Sequence, residues 1–279
     1  MSKPVKGDYF YETDIVKDRE KLKLRVYFGK KGLKIVLQGN KDSVIYRTVN
    51  EIISGQSSLL FDDKNFIDEP ECYIGTDESG KGDYFGPLVV AGVFVDLSTL
   101  NQLKKIGVKD SKLLSEYAIS DLSEKIKKIA GENSYNILTI NPRRYNELYE
   151  KIGNVNKLLA WGHAKVIENV LELNSSDTAI SDKFGDEKLI LGSLQEKGKN
   201  ILLRQETKAE KYTAVAAASI LARNKFDNWF NSQKTNLKLH IPKGASETVE
   251  NFARILKNKH GENFLTEVAK LHFKTTKKL

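Results

Sequence analysis

Cysteine is almost missing from this chain: one, Cys72, in 279 residues. A lone cysteine excludes an intramolecular disulfide and any zinc cluster built from cysteines. It directly precedes an apolar run, so a small buried hydrophobe is expected there. Long hydrophobic runs are also lacking. No stretch approaches the length that spans a bilayer, and the first residues, Met-Ser-Lys-Pro-Val-Lys-Gly-Asp, have no apolar signal core. The expectation is a cytoplasmic protein with no membrane partner. What the chain does carry is ordinary globular composition, 40% hydrophobic and 29% charged, with a formal net charge of +8. That excludes global disorder. A basic surface concentrates polyanions, of which nucleic acid is the commonest, although a merely lysine-rich composition gives the same sum.

The charge is uneven. Residues 1–56 hold 12 Lys/Arg against 7 Asp/Glu, +5 of the total. Residues 14–23 read as a polar, charged stretch. Strand-like runs at 22–28 and 33–38 flank Gly29-Lys30-Lys31-Gly32, which suits a hairpin, and a helical pattern occupies part of 44–53. Leu22, Leu24, Val26 and Phe28 alternate with Lys23, Arg25 and Tyr27. The second face therefore suits phosphate backbones or is simply solvated. A Gly/Ser and then acidic stretch around Pro70 marks a linker, taken as residues 61–71. It separates an N-terminal domain, 1–60, from a larger one, 72–279.

The larger part alternates strands and helices. Strands are expected at 73–77, 88–95, 135–140, 178–182 and 200–206. Helices are expected at 154–173, 212–230, 246–258 (capped by Ser246) and 262–272. The helix at 154–173 should bury Val155, Leu159, Gly162, Val166, Val170 and Leu173. That at 212–230 should bury Val215, Ala218, Ala222, Phe226 and Trp229. Hairpin-connected strands come first and helix-connected ones later, which makes an α/β domain with a mixed sheet.

Between the first two of these strands lies Asp77-Glu78-Ser79-Gly80-Lys81-Gly82-Asp83-Tyr84-Phe85-Gly86-Pro87. Adjacent carboxylates at a strand end repel one another, and a hard divalent cation is the simplest remedy. The glycines allow main-chain groups to approach a ligand closely. A two-metal phosphodiesterase needs three or four carboxylates, so partners must come from elsewhere in the chain. Asp182 stands at another strand end, and Glu210 precedes an alanine-rich helix where a carboxylate is favoured whatever its function. The rival reading of the glycines, a nucleotide-binding loop, calls for a helix after them. Pro87 and a strand follow instead, and Gly-Lys-Ser/Thr is absent.

The run from Gly75 to Gly92 resembles the first signature of the type 2 ribonucleases H. Its Gly-Lys-Gly form matches the bacterial ribonuclease HIII branch. Glu206-Thr207-Lys208-Ala209-Glu210-Lys211-Tyr212, leading into Ala216–Arg223, resembles the second signature. Asp110-Ser111-Lys112 and Val268–Phe273 fit as well. The resemblance implies a ribonuclease H-like sheet flanked by helices, and a small N-terminal α+β domain like the TATA-box-binding protein that helps hold substrate. It implies an endonuclease that hydrolyses the RNA strand of RNA/DNA hybrids, leaving 3′-hydroxyl and 5′-phosphate ends. Asp77, Glu78, Asp182 and Glu210 would be the catalytic carboxylates holding two Mg²⁺ or Mn²⁺ ions. Ser79, Gly80, Lys81 and Gly82 would contact substrate, with Lys208, Lys211 and Ser219 gripping phosphates. Arg223 would grip a phosphate or pair with Asp227 at i,i+4. No histidine is required as a base, and His163 and His272 read as packing or surface residues. A monomer is expected. A hybrid-binding protein without catalysis would have lost carboxylates, and an unrelated nuclease would lack the glycine motif.

Overall fold

The computed structural model describes residues 5–7, 9–17, 20–29, 32–40, 43, 45–46, 49–50, 69–108 and 114–279. The chain divides into two units, Met1–Asp68 and Glu69–Leu279. The Asp110-Ser111-Lys112 piece and residues 61–68 of the 61–71 stretch lie outside the described residues, as does most of the helical pattern at 44–53.

In the first unit four strands, β1 (Val5–Lys6), β2 (Phe10–Lys17), β3 (Glu20–Gly29) and β4 (Gly32–Gln38), form an antiparallel sheet in chain order. β2 was not expected, because its acids and lysines break the hydrophobic alternation. Those charges pair across the ladder instead: Glu12 faces Arg25, Asp14 faces Lys23 and Lys17 faces Glu20. Glu12 accepts hydrogen bonds from both Lys23 and Arg25, and Lys21 stands 2.9 Å from Asp14. The face expected to be basic thus has much of its charge neutralised within the sheet.

The second unit carries β5 (Tyr73–Ser79), β6 (Leu88–Val95), α1 (Leu97–Lys105), α2 (Glu116–Ala130), β7 (Tyr135–Ile140), α3 (Pro142–Ile152) and α4 (Val155–Leu171). These are followed by β8 (Thr178–Asp182), α5 (Glu187–Leu191), β9 (Leu202–Glu206), α6 (Thr213–Leu237), α7 (Glu247–His260) and α8 (Glu262–Val268). The sheet order is β7-β6-β5-β8-β9, antiparallel through β5, β6 and β7 and parallel from β5 to β8 and β9. The expected mixed α/β sheet is therefore found. α1, α2 and α3 have no counterpart among the predicted elements, although they carry ordinary start signals. Asp96 and Ser115 cap α1 and α2 through their side chains, and Pro142 opens α3. Ser246 precedes α7 as expected, but its side chain makes no capping bond.

α4 packs on one face of the sheet. Ala160, Ala164, Ile167 and Val170 meet Ile74, Ala179 and Leu203, and Leu158 and Leu159 meet Leu88 and Ile140. Leu173, expected in that stripe, lies past the helix end and is exposed. Cys72 is exposed too, just before the buried part of β5, with its thiol toward the Ser175 carbonyl. α6 packs on β5 and β6 from the other side, burying Val215, Ala218, Ala222 and Phe226. The approach is close at Gly75, where a Cβ would stand 2.3 Å from backbone atoms of Ala214 and Val215.

The start of α6 is held from a distance. Its N-cap residue, Tyr212, offers no side-chain bond. Glu69 supplies one instead, accepting from Thr213 N at 2.6 Å, from the Tyr73 hydroxyl at 2.6 Å and from Lys104 Nζ at 2.7 Å. A carboxylate at a helix N-terminus satisfies orphan amides and suits the dipole. Burial alone would raise the Glu69 pKa, but Lys104, Tyr73 and Thr213 together bring it below its ordinary 4.5. A carboxyl depressed on folding adds stability above its unfolded pKa, and that contribution is lost as pH falls. Glu69→Gln should therefore lower stability near pH 7 by about 1–2 kcal/mol in urea unfolding, with the deficit closing toward pH 3. A deficit that stays constant with pH would contradict this role.

Candidate active site

Asp77 and Glu78 occupy the C-terminal end of β5, and successive strand residues point to opposite faces of a sheet. The adjacent pair is therefore split. Glu78 lies on the α4 side, where its Oε2 meets His163 Nε2 at 3.1 Å. Asp77 lies on the α6 side and is hydrogen-bonded by Ser219, a member of that helix. The parallel register sets Thr76 beside Ser181 on β8, which places Asp182 next to Asp77 on the same face. Asp182 Oδ1 accepts the Ala209 amide at 3.0 Å, tying β8 to the turn Ala209–Lys211 that carries Glu210. The fold thus gathers Asp77, Glu78, Asp182, Ser219 and the Glu210 turn at one end of the central strands.

Electrostatics follow this placement. Burial and the charges of Glu78 and Asp182 push the Asp77 carboxyl up to about 7, against the opposing bonds from Ser219 and the Glu78 amide. Burial also acts to raise Glu78, but His163 and the Lys81 ammonium at 3.8 Å outweigh it and hold that carboxyl below its ordinary range. Among the described residues, no three His, Cys, Asp or Glu side chains are drawn in closely enough to hold an ion as they stand. The donors are nonetheless all hard oxygens. Their mutual repulsion, visible in the raised Asp77, is what a divalent cation removes, so the residues fit such an ion.

His163 was missed by the sequence reading, which placed it among packing or surface residues. It is fully buried, with Nδ1 2.8 Å from Thr76 Oγ1 and its ring stacked on Phe184 at 4.8 Å. A carboxylate only accepts, so Nε2 donates to Glu78, and Nδ1 is left to bond the Thr76 hydroxyl. The available signal was position: a histidine one residue after Gly162 in the apolar stripe of α4 needs a polar partner.

The remaining predicted residues are more dispersed. Ser79 ends β5. Gly80 has φ +89°, and a Cβ there would stand 2.2 Å from the Pro87 carbonyl, so only glycine fits. Gly82 faces open space. Lys81 reaches over the Phe184 ring at 5.4 Å. Lys208 is exposed in a left-handed conformation after β9. Lys211 is bound 2.6 Å from Glu206, whose carboxyl is pulled down to about 2 by Lys211 first and also by Tyr212 and Arg204. Arg223 pairs with Asp227 at 3.6 Å, and Asp227 also holds Lys243 at 2.6 Å. Among the described residues no helix is long and apolar enough to cross a membrane.

A mixed sheet of order β7-β6-β5-β8-β9, with acids at the ends of β5 and β8, is the arrangement of a ribonuclease H-like domain. The family model for ribonuclease HII matches residues 74–276. Ribonuclease HIII of Protochlamydia amoebophila is 43% identical over 203 residues, covering 73% of this chain and 66% of that protein. Ribonuclease HIII of Chlamydia abortus is 36% identical over 261 residues, covering 86% and 85%. A crystal structure of Bst-RNase HIII in complex with Mn²⁺ superimposes with a TM-score of 0.68 at 25% identity, over 96% of this chain and 87% of that one. The chain belongs to the ribonuclease HII family, on its ribonuclease HIII branch, and is a ribonuclease H enzyme.

His163→Phe would keep the stack on Phe184 while stranding the buried Thr76 hydroxyl and one Glu78 oxygen. Unfolding in urea should show a loss of about 2–3 kcal/mol. An unchanged midpoint would mean that the imidazole bonds contribute nothing to the site's order.

Proposed function

We propose that the protein is an endonuclease that hydrolyses the RNA strand of RNA/DNA hybrids with Mg²⁺ or Mn²⁺, leaving 3′-hydroxyl and 5′-phosphate ends. The observation that carries this reading is that Asp77 and Asp182 each follow the last registered pair of β5 and β8, Thr76 and Ser181, close enough for their charges to interact, with Glu78 on the reverse face and Asp182 bonded to the turn of Glu210. Asp77, Glu78, Asp182 and Glu210 would hold two ions. What bound cations supply is a water acidic enough to attack phosphorus in line, together with charge neutralisation at the leaving 3′ oxygen. The Mn²⁺ complex of Bst-RNase HIII supports a divalent requirement in the family.

The chain's own groups prepare this site. Ser219 and the Glu78 amide bond the Asp77 carboxyl and favour its ionised form, the form that ligates. His163 keeps one Glu78 oxygen directed toward α4 and stabilises the carboxylate. The Ala209 amide holds Asp182 in place beside Asp77. Telling RNA from DNA requires a reader of the 2′-hydroxyl. Ser79, Gly80, Lys81 and Gly82 suit that task, since Gly82 leaves its backbone open to a strand. Lys208, which is exposed, and Lys81 would meet phosphates. Lys211 would do so by exchanging its Glu206 partner, and Ser219 acts first through Asp77. The N-terminal unit, proposed as a substrate-holding domain in a cytoplasmic monomer, offers the tyrosines Tyr9 and Tyr11 among its exposed groups.

Cleavage of end-labelled hybrid, with the product ends identified, tests the reading. Asp77→Asn should lower kcat by about a thousandfold or more while hybrid binding persists, and a chelator should silence the wild type until Mg²⁺ or Mn²⁺ is restored. Full activity in Asp77→Asn, or in excess chelator, would falsify the carboxylate-metal mechanism. A wild type that binds hybrid but leaves it intact with either ion would make the protein a binder instead.

A further inference from the structure

Among the described residues Lys270 is the largest charged side chain that is fully buried, and the reaction described above makes no use of it. Burying an ammonium is costly unless its donors are all taken up. Here they are directed at three successive carbonyls of the glycine motif: Gly86 O at 2.6 Å, Phe85 O at 3.3 Å and Pro87 O at 3.5 Å. The backbone around Lys270 makes the same attachment. Its amide donates to Tyr84 O at 2.8 Å, Gly86 N donates to Val268 O at 2.9 Å, and Ala269 bridges Phe85 in an antiparallel pair.

A second clamp closes the front of the motif. The Gly244 amide donates to Asp83 Oδ1 at 2.6 Å, and Tyr84 N donates to Gly244 O at 2.9 Å. Residues 83–87 are thus fastened by chain that lies more than 150 positions later. The fastening reaches the glycines through Pro87. Its carbonyl, at the far end of the Lys270 contacts, fills the space that a side chain on Gly80 would occupy.

Lys270 is itself located by Asn146 of α3. Asn146 Nδ2 donates to Ala269 O at 3.0 Å, and Asn146 Oδ1 accepts Leu271 N at 2.9 Å, bracketing the lysine on both sides. The Tyr145 ring lies 5.8 Å from Nζ. Burial draws the ammonium pKa down to about 7, with the Asp83 charge as the opposing influence. A lysine that only filled core would be served as well by methionine, which places no demand on polar partners.

We propose that Lys270 is a positioning residue for substrate recognition: by holding the Phe85, Gly86 and Pro87 carbonyls it sets the backbone of Gly80–Gly82 against the RNA strand. The inference rests on the functional reading above, in which those glycines read RNA. Because it concerns placement of the reader and not the carboxylates, its signature is loss of selective binding with chemistry largely retained. A tenfold loss of affinity corresponds to about 1.4 kcal/mol, within what one displaced recognition contact supplies.

The test uses the full chain carrying Lys270→Met, which keeps length and apolar volume, and separately Asn146→Ala, which loosens the lysine without touching it. Three quantities are read: the thermal midpoint, KM and kcat on RNA/DNA hybrid with Mn²⁺, and the ratio of hybrid to DNA-duplex affinity under chelation. For Lys270→Met, a KM about tenfold higher, kcat changed by less than about threefold, and an affinity ratio lowered about tenfold are expected. Asn146→Ala should move KM and the ratio in the same direction by a smaller factor. If Lys270→Met does not fold, the Asn146→Ala result decides. A folded variant with unchanged KM and ratio overturns the proposal. So does a fall in kcat that simply follows the fraction unfolded. A wild type with no preference for hybrid would overturn the functional reading itself, and the positioning role with it.

Discussion

The repulsion between carboxylates at the ends of β5 and β8 is the constraint on which the rest of the site depends. Asp77 and Asp182 stand side by side on one face, and Glu78 projects from the other. Left alone, such a group would protonate or splay apart, and the raised Asp77 pKa records that tendency. The surrounding fold is a set of counterweights. Ser219 and the Glu78 amide act on Asp77, His163 and Lys81 on Glu78, and the Ala209 amide on Asp182. Each comes from a different element, so the site exists only once α4, α6 and the turn before α6 are packed onto the sheet.

That packing has its own prerequisites. Gly75 lets the first turn of α6 lie against β5, and Glu69 holds that turn from the opposite end of the domain sequence. The glycine motif, which follows the acids directly, is supported by the C-terminal segment through Lys270 and by the Gly244 backbone. A ribonuclease H site therefore draws on both termini of its domain. The first steadies the helix that carries Ser219, and the second steadies the glycine motif.

Much of this was legible in the sequence for physical reasons that can be named. β6, β7 and β8 have the predicted bounds: β6 is a continuous apolar run, and β7 and β8 are short segments with β-branched residues set between polar stretches. Asp77 and Glu78 stood out because two acids seldom end a buried strand together. Asp182 was visible only as one more strand-end acid, since its pairing with Asp77 follows from the β5–β8 register, and Glu210 rested on resemblance. His163 was read as a packing or surface residue and Lys270 only as part of a resembling segment, so the bonds each makes were not seen. Each is a single polar residue amid apolar neighbours, and its partners lie 85 residues away or more. β2 escaped because its charges are answered by β3 across the ladder, and one strand read alone does not show its partner.

The most direct measurement of the central claim is where a divalent ion sits. Amide spectra of the ¹⁵N-labelled protein titrated with paramagnetic Mn²⁺ should lose signal first at residues 77–80, 182–183 and 208–211. Asp182→Asn should weaken that pattern throughout, because its members share one ion cluster. Broadening centred elsewhere, or a pattern indifferent to Asp182→Asn, would contradict the assignment of these four carboxylates to a common metal site.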